Sequence, residues 1–119
     1  MARLSRCEYE HVQHRVIALG VGASEEQVGA VEAGEGERLD HRARAVVLFT
    51  REVVGDVRAG EETLQGVQAF LSPREVVELL LVVGHYMAIA RLAETTGIEL
   101  DDPADMAVVE SARRRGELT

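Results

Sequence analysis

The chain has no lysine, no asparagine and no tryptophan among its 119 residues, and it has a single cysteine. Without lysine, neither Schiff-base chemistry nor a phosphate-binding P-loop is available. Without asparagine, N-glycosylation and a Cys-His-Asn triad are excluded. The lone Cys7 cannot form an internal disulfide, which is typical of a protein in a reducing compartment.

The charge balance is acidic, because 21 Asp and Glu residues outnumber 13 arginines and give a net charge of -8. Nucleic acids and anionic membrane surfaces attract basic patches, so we predict neither as a partner. Aromatic residues are only 3% of the chain, whereas hydrophobic residues are 46%. This composition predicts one globular domain over residues 1–119 with an aliphatic core, and a tail over 100–119 that has a helical pattern.

No apolar run of the sequence has the length of a targeting or membrane-spanning segment. The N-terminus has no apolar run of signal-peptide length, and the longest apolar stretch, Val76–Val83, is interrupted by Glu78. We therefore predict a soluble cytoplasmic protein. Only six residues precede Cys7, which leaves open whether an upstream part is missing or another subunit supports the first helical turn.

Apolar periodicity and capping signals predict an all-α bundle of about five to six helices. Capping boxes begin at Ser24 and Ser72, and Pro73 follows at the first helical position. The segment Asp40–Arg58, with Val57 on its predicted apolar face, repeats with a period near 3.6 and is expected to close at Ala59-Gly60. The helix that starts at Pro73 is apolar on nearly every side, so we expect it to be central or shared between subunits.

The N-terminal helix carries the candidate site. At about 100° per residue, Cys7, Glu10 and His14 fall on one stripe, and His11 flanks it. The apolar residues on the other side are Tyr9, Val12, Val16 and Leu19. We predict that this apolar side packs inward and that the stripe lines a pocket of titratable groups. The alternative is a surface helix with ordinary charge pairs.

Two further residues are candidates for the same pocket. His85 and Tyr86 follow Gly84, where the missing side chain lets another backbone approach. They reach the pocket if the long helix packs on the first one; the alternative is a core histidine with one satisfied hydrogen bond. The histidines and Glu10 form no closed ligand motif, so we predict no metal and no cofactor.

The order and spacing of several blocks together resemble a known family. These blocks are Cys7-x6-His14, Ser24-Glu-Glu-Gln, the Asp40–Arg58 helix, and Ser72-Pro-Arg-Glu leading into Leu-Leu-Leu-Val-Val-Gly-His-Tyr. Over roughly Leu4 to Leu100 the chain resembles the carboxymuconolactone decarboxylase family, which includes alkylhydroperoxidase D-like proteins. The resemblance implies an all-helical fold that assembles into homo-oligomers, often trimers or hexamers, and acts on a small molecule.

The resemblance also implies roles for residues of the first helix. The hydroperoxidase branch has Cys-x-x-Cys-x-x-x-His, so Cys7 matches its first cysteine, Glu10 replaces its second and His14 matches its histidine. With Glu10 in that place, the branch's peroxide attack and disulfide cannot proceed in the family's way. The decarboxylase branch has Glu-x-x-x-His, which Glu10 and His14 match. An upstream glutamate and an N-terminal helical part of the family would precede Met1.

Three functions are compatible with these residues. The first prediction is a peroxidase-type, antioxidant thiol reaction at Cys7 assisted by Glu10 and His14, although the Glu10 charge would raise the thiol pKa and an external thiol would be needed. The second is acid–base chemistry by Glu10 and His14 on a lactone or keto acid. The third is an inactive oligomerising module, in which Cys7 is an inert buried residue.

Overall fold

The computed structural model describes Leu4 and residues 6–97, so the predicted tail over 100–119 lies outside the described residues. The elements in chain order are α1 (Glu8–Gly20), α2 (Glu25–Ala33), a short 3-10 helix (Gly36–Arg38), α3 (His41–Asp56), α4 (Glu61–Gln68) and α5 (Pro73–Thr96). This part of the chain contains no strand. The prediction of an all-α protein is therefore confirmed.

The predicted helix starts are correct where capping side chains set them. The Ser24 hydroxyl accepts the Gln27 backbone N–H at 3.1 Å, and the Gln27 side chain accepts the Ser24 backbone N–H at 3.0 Å. Ser72 and Glu75 form the same reciprocal pair at the start of α5. Asp40 caps α3 through one carboxylate oxygen. Each cap satisfies backbone donors that the first helical turn leaves unpaired.

The end of α3 differs from the prediction. The helix stops at Asp56 because Val57 takes a left-handed conformation with φ of 69°, and its side chain is 88% exposed. Val57 thus lies outside the apolar face predicted for it. The Glu52 carboxylate accepts the Gly60 backbone N–H at 2.7 Å and the Thr63 hydroxyl at 2.8 Å. These two bonds fix the turn between α3 and α4, and Gly60 becomes the N-cap of α4.

The main core lies where α3, α4 and α5 meet. Phe49, Val67 and Val76 are buried there with at most 7% exposure. Half-buried residues pack around them, including Ala45, Val53, Leu64, Phe70 and Leu79. The sequence pattern placed aliphatic residues of α3 in the core but did not single out Phe49. Both phenylalanines of the chain therefore lie in this core, Phe49 buried and Phe70 half-buried beside it.

The helix α5 buries only a narrow stripe of the single chain. Its buried residues are Val76, Val83, Ala90 and Ala93. Its exposed large apolar residues include Val77 (54%), Leu81 (67%), Val82 (52%) and Leu92 (62%). The expectation that α5 is central is therefore wrong for the single chain, because the other described helices cover one side of it only. Whether it is shared between subunits stays a prediction.

The same helix meets the length and composition of a membrane span. Among the described helices, α5 is the one that is long and apolar enough to cross a bilayer, with a mean hydropathy of 1.7 over its most apolar 18 residues. An apolar helix that is buried in a soluble assembly has the same properties. The length and composition of α5 therefore fit both a membrane span and a helix buried in a soluble assembly, and the cytoplasmic location stays a prediction.

Candidate functional site

The helix α1 turns its ionisable stripe inward. Cys7 is 1% exposed and Glu10 is 2% exposed, whereas Val12 and Val16 are 40% and 54% exposed. The prediction that the valine side packs inward is therefore wrong. At the start of α1, Cys7 packs against the small residues Ala90 and Ala93 of α5, which brings this side of α1 into the bundle. The side chain of Tyr9 lies outside the described residues.

Cys7 sits at the N-cap of α1 and packs against Ala90 and Ala93. Burial raises the pKa of the Cys7 thiol and outweighs the opposite effect of the Glu10 backbone N–H. The Glu94 carboxyl, which lies within hydrogen-bonding reach of the sulfur, raises the thiol pKa further. The thiol is therefore protonated at neutral pH, and a protonated thiol is a poor nucleophile.

Glu10 differs from the other polar residues that the structure describes because it is almost fully buried. Both of its carboxyl oxygens are buried and have no hydrogen-bond partner there, so the bond to His14 that would orient the ring is not formed. Burial raises the pKa of the Glu10 carboxyl, while the nearby charge of His85 acts in the opposite direction. A buried acid without partners is stabilised in its neutral form, so Glu10 holds its proton to a higher pH than an ordinary glutamate.

His14 connects α1 to α5 through aromatic packing. Its ring meets the Tyr86 ring edge-on, with 4.5 Å between centroids and an interplanar angle of 87°. His85 packs on Tyr86 in the same manner at 5.3 Å and 76°. Burial lowers the pKa of the His14 imidazole, which keeps the ring neutral near pH 7. The three rings therefore form a row that leads from α1 to the exposed face of α5.

A cleft opens beside His14, between α1, α2 and the first turn of α3. We call it the α1–α2 cleft; its volume is about 420 Å³. Its apolar wall consists of Ala18, Ala23, Val28, Val31, Leu39 and Ala43. Its polar lining consists of His11, His14, Arg15, Gln27 and Glu32. The volume lies within the range of about 300–1,000 Å³ that is typical of small-molecule sites.

A charge network borders this cleft. Arg15 donates to Glu32 at 2.7 Å and to Glu25 at 2.5 Å, and His11 lies 3.4 Å from the other Glu32 oxygen. The sequence pattern indicated His11 as a pocket residue but did not single out Arg15 or Glu32. The spacing of His11 and Arg15, one turn apart on α1, was the available signal. Their carboxylate partner lies on α2, so the network depends on how the two helices pack.

The predicted catalytic stripe does not share one cavity. His11 and His14 line the α1–α2 cleft, but Cys7 and Glu10 do not. Cys7 and Glu10 are enclosed in the packing at the other side of α1, and His14 lies at the border between that packing and the cleft. The premise that thiol, acid and imidazole line the same cleft is therefore wrong for two of the three groups.

Among the described residues, no group of three His, Cys, Asp or Glu side chains is arranged to hold a metal ion. Comparisons of this chain with protein-family models, with curated proteins and with solved structures find no match. What the site can do therefore has to be argued from its own residues.

Proposed function

We propose that this protein is a carboxymuconolactone decarboxylase-like helical protein that transfers protons to and from a small carbonyl compound, with His14 as the base. The observation that carries the proposal is the position of a neutral imidazole at the border of the α1–α2 cleft, one helical turn from a buried, unpartnered acid. A general base works best when it is unprotonated at the working pH and faces the space that a substrate enters.

Glu10 is a positioning residue in this proposal. Glu10 does not line the cleft. It acts through His14, because a negative charge on Glu10 changes how readily the imidazole takes up a proton. While Glu10 keeps its proton, no negative charge lies beside His14 to favour the imidazolium form. When Glu10 ionises, its negative charge stabilises the imidazolium form of His14 and so raises the pKa of that ring. Paired titratable groups whose environments move their pKa values in opposite directions are typical of acid–base sites.

The reaction is a keto–enol proton transfer. The neutral imidazole of His14 takes a proton from the carbon beside the carbonyl, and the C–H electron pair becomes the new C=C bond of an enolate. The imidazolium then returns the proton, or one exchanged with solvent, to that carbon. When a 3-keto acid loses CO₂, the electron pair of the broken C–C bond becomes the C=C bond of an enolate. The carbon that held the carboxylate then takes a proton from solvent, which His14 can relay.

The test is incorporation of deuterium from D₂O beside the carbonyl of cyclohexanone and δ-valerolactone, and release of CO₂ from acetoacetate. Proton NMR follows the loss of the C–H signals. The proposal expects faster exchange or CO₂ release with the protein than with buffer, and slower reaction after His14→Gln. Equal rates with protein and with buffer for all three compounds would refute it.

Thiol redox chemistry at Cys7 is the second candidate. The observation that favours it is the position of Cys7 at the N-terminus of α1, where a helix dipole and the Glu10 backbone N–H favour a thiolate. The burial of the sulfur weighs against it. Peroxide turnover that requires an added dithiol and is abolished by Cys7→Ser, while deuterium exchange stays at the buffer rate, would support this candidate over the first.

We also propose that the protein is a homo-oligomer, a trimer or hexamer, in which a second copy covers the exposed side of α5. The exposed leucines and valines of α5 support this, because soluble monomers rarely leave a contiguous apolar patch of this kind in water. Leu81→Glu should reduce the mass measured by light scattering to that of a monomer, whereas Val57→Glu, at a valine outside α5 that is even more exposed than Leu81, should not. A monomeric wild-type protein, or one recovered only with detergent, would contradict the proposal.

A further inference from the structure

The charged side chains of the α1–α2 cleft are already paired with one another. The Arg15 guanidinium is held by two carboxylates, those of Glu32 and Glu25. The second oxygen of Glu32 is engaged by His11. An acidic ligand would have to draw Arg15 away from its glutamates, and a cationic ligand would have to displace Arg15 from Glu32. Breaking such a pair leaves a partly buried charge without its partner, which opposes binding of either kind of ion.

The side-chain oxygen of the one amide in the cleft is also occupied. The Gln27 oxygen accepts the Ser24 backbone N–H in the α2 cap, and its amide group lies near the Asp40 carboxylate. His14 differs, because its ring makes only the edge-on contact with Tyr86 among the described residues. A neutral imidazole has one N–H donor and one acceptor nitrogen. Among the polar lining residues that the structure describes, His14 is therefore the one whose side chain makes no hydrogen bond or ion pair.

The remaining wall of the cleft is aliphatic. Val28 and Leu39 are buried at its base, and Val31 is 42% exposed along its side. An apolar ligand that covers Val31 would remove this surface from water, which favours binding in proportion to the area that is covered. The chemistry of the cleft thus consists of a large aliphatic wall, a network of one arginine and two glutamates that pair with one another, and the His14 imidazole.

We propose that the α1–α2 cleft binds an uncharged, mainly aliphatic ring or chain that carries one carbonyl or hydroxyl group, which hydrogen-bonds to His14. The use of this ligand as a substrate rests on the proposed function above, whereas its binding does not. Among the substrates open to an acid–base site, the cleft thus favours a neutral lactone or ketone over a keto acid. Occupation by a second copy of the chain would be a different outcome, and the test distinguishes it.

The experiment compares three probes that share one ring and differ in charge: cyclohexanone, cyclohexylamine and cyclohexanecarboxylate. Amide shifts in ¹H–¹⁵N spectra of the full chain report where each probe binds and how tightly. The expected result is that cyclohexanone shifts the amides of Ala18, Val28 and Val31 and binds at least about tenfold more tightly than either ion, which corresponds to a loss of about 1.4 kcal/mol for the ions.

A pair of alanine variants locates the site. Ala43→Leu adds three carbons to the cleft wall and should weaken cyclohexanone binding at least about tenfold, whereas Ala69→Leu, an exposed alanine at the end of α4, should leave it unchanged. If Ala43→Leu disturbs folding, Val31→Thr removes apolar surface with little change of shape, and it should weaken the ketone more than it weakens the amine.

Three results would overturn this inference. The first is that the carboxylate or the amine binds as tightly as the ketone. The second is that cyclohexanone shifts only amides that lie outside the cleft. The third is that Val31→Glu dissociates an oligomer, which would show that a second copy fills the cleft. Failure of catalysis is separate from these. If the ketone binds as described but its C–H bonds do not exchange, the site stands and the proposed proton transfer falls.

Discussion

Replacing His14 with glutamine should lower the rate of deuterium exchange into a bound ketone by about 10²–10⁴-fold, the usual contribution of a positioned base. Glutamine keeps a polar side chain of similar reach at the border of the cleft but cannot take a proton. Burial lowers the pKa of His14 from its ordinary value of 6.5, so the wild-type rate should stay level near neutral pH and decline only below about pH 6.5. The residual rate of the variant should not show this decline.

His41 offers a matched control for this substitution. It is an exposed histidine at the first position of α3, so His41→Gln makes the same change of residue type as His14→Gln at a position that does not line the cleft. We expect an unchanged rate from it. Loss of exchange in both variants, or in neither, would remove His14 from the proposed role.

Glu10→Gln tests whether Glu10 acts through His14. The amide copies the neutral, protonated carboxyl in size, so exchange at a pH where Glu10 holds its proton should change by only a few-fold. At higher pH the wild-type protein gains a negative charge beside His14 and the variant does not. The variant should therefore lose the part of the pH profile that follows Glu10 ionisation. A merely structural role would lower the rate equally at every pH.

Replacing Glu10 with methionine should raise the free energy of unfolding by about 1–3 kcal/mol near pH 7, the cost of a buried polar group without a partner. The carboxyl is 2% exposed, and neither oxygen has a hydrogen-bond partner among the described residues. Methionine fills a similar volume and adapts to the space against the alanines of α5. Chemical denaturation, with the slope of the transition compared between variants, measures the difference.

The same substitution should flatten the dependence of stability on pH. The folded state binds the Glu10 proton more tightly than the unfolded chain, whose carboxyl has a pKa near 4.5. The stabilisation from this proton is therefore complete below about pH 4.5 and is lost as the pH rises through the folded-state pKa. Glu10→Met removes this contribution. The exposed Glu62 supplies a control, since Glu62→Met should change the free energy of unfolding by less than about 0.5 kcal/mol.

A stabilised Glu10→Met protein that keeps proton transfer but loses the part of the pH profile that follows Glu10 ionisation would agree with the proposed function, because functional sites often keep residues that cost stability. A destabilised one would show instead that the carboxyl has partners in the assembled protein that the described residues do not supply. An interface with a second copy along α5 would be the first place to look for such partners, since His85 and Tyr86 extend from the site to its exposed side.

The sequence by itself determined the helices and most of their ends. Ser24, Asp40 and Ser72 fix helix starts because a side-chain oxygen next to the first turn satisfies donors within three residues, and this geometry is wholly local. The placement of Glu10 and His14 one turn apart on one helix followed from the same local geometry, whereas Cys7 is the extended N-cap of that helix and not a helical residue as predicted. The absence of lysine and asparagine excluded the chemistry of those side chains whatever the fold, because a missing functional group cannot be supplied by packing.

Only the tertiary structure decided which side of α1 is buried. Both sides of that helix have the right period, and the contact of Cys7 with Ala90 and Ala93 of α5 goes with burial of the side that carries the thiol and the acid. The α1–α2 cleft, its ion pairs and the separation of Glu10 from its lining also depend on how distant segments pack. Periodicity fixes which residues share a face of a helix. The shape of the neighbouring helices fixes which face is buried and which residues it contacts, and the chemistry of the site depends on this packing.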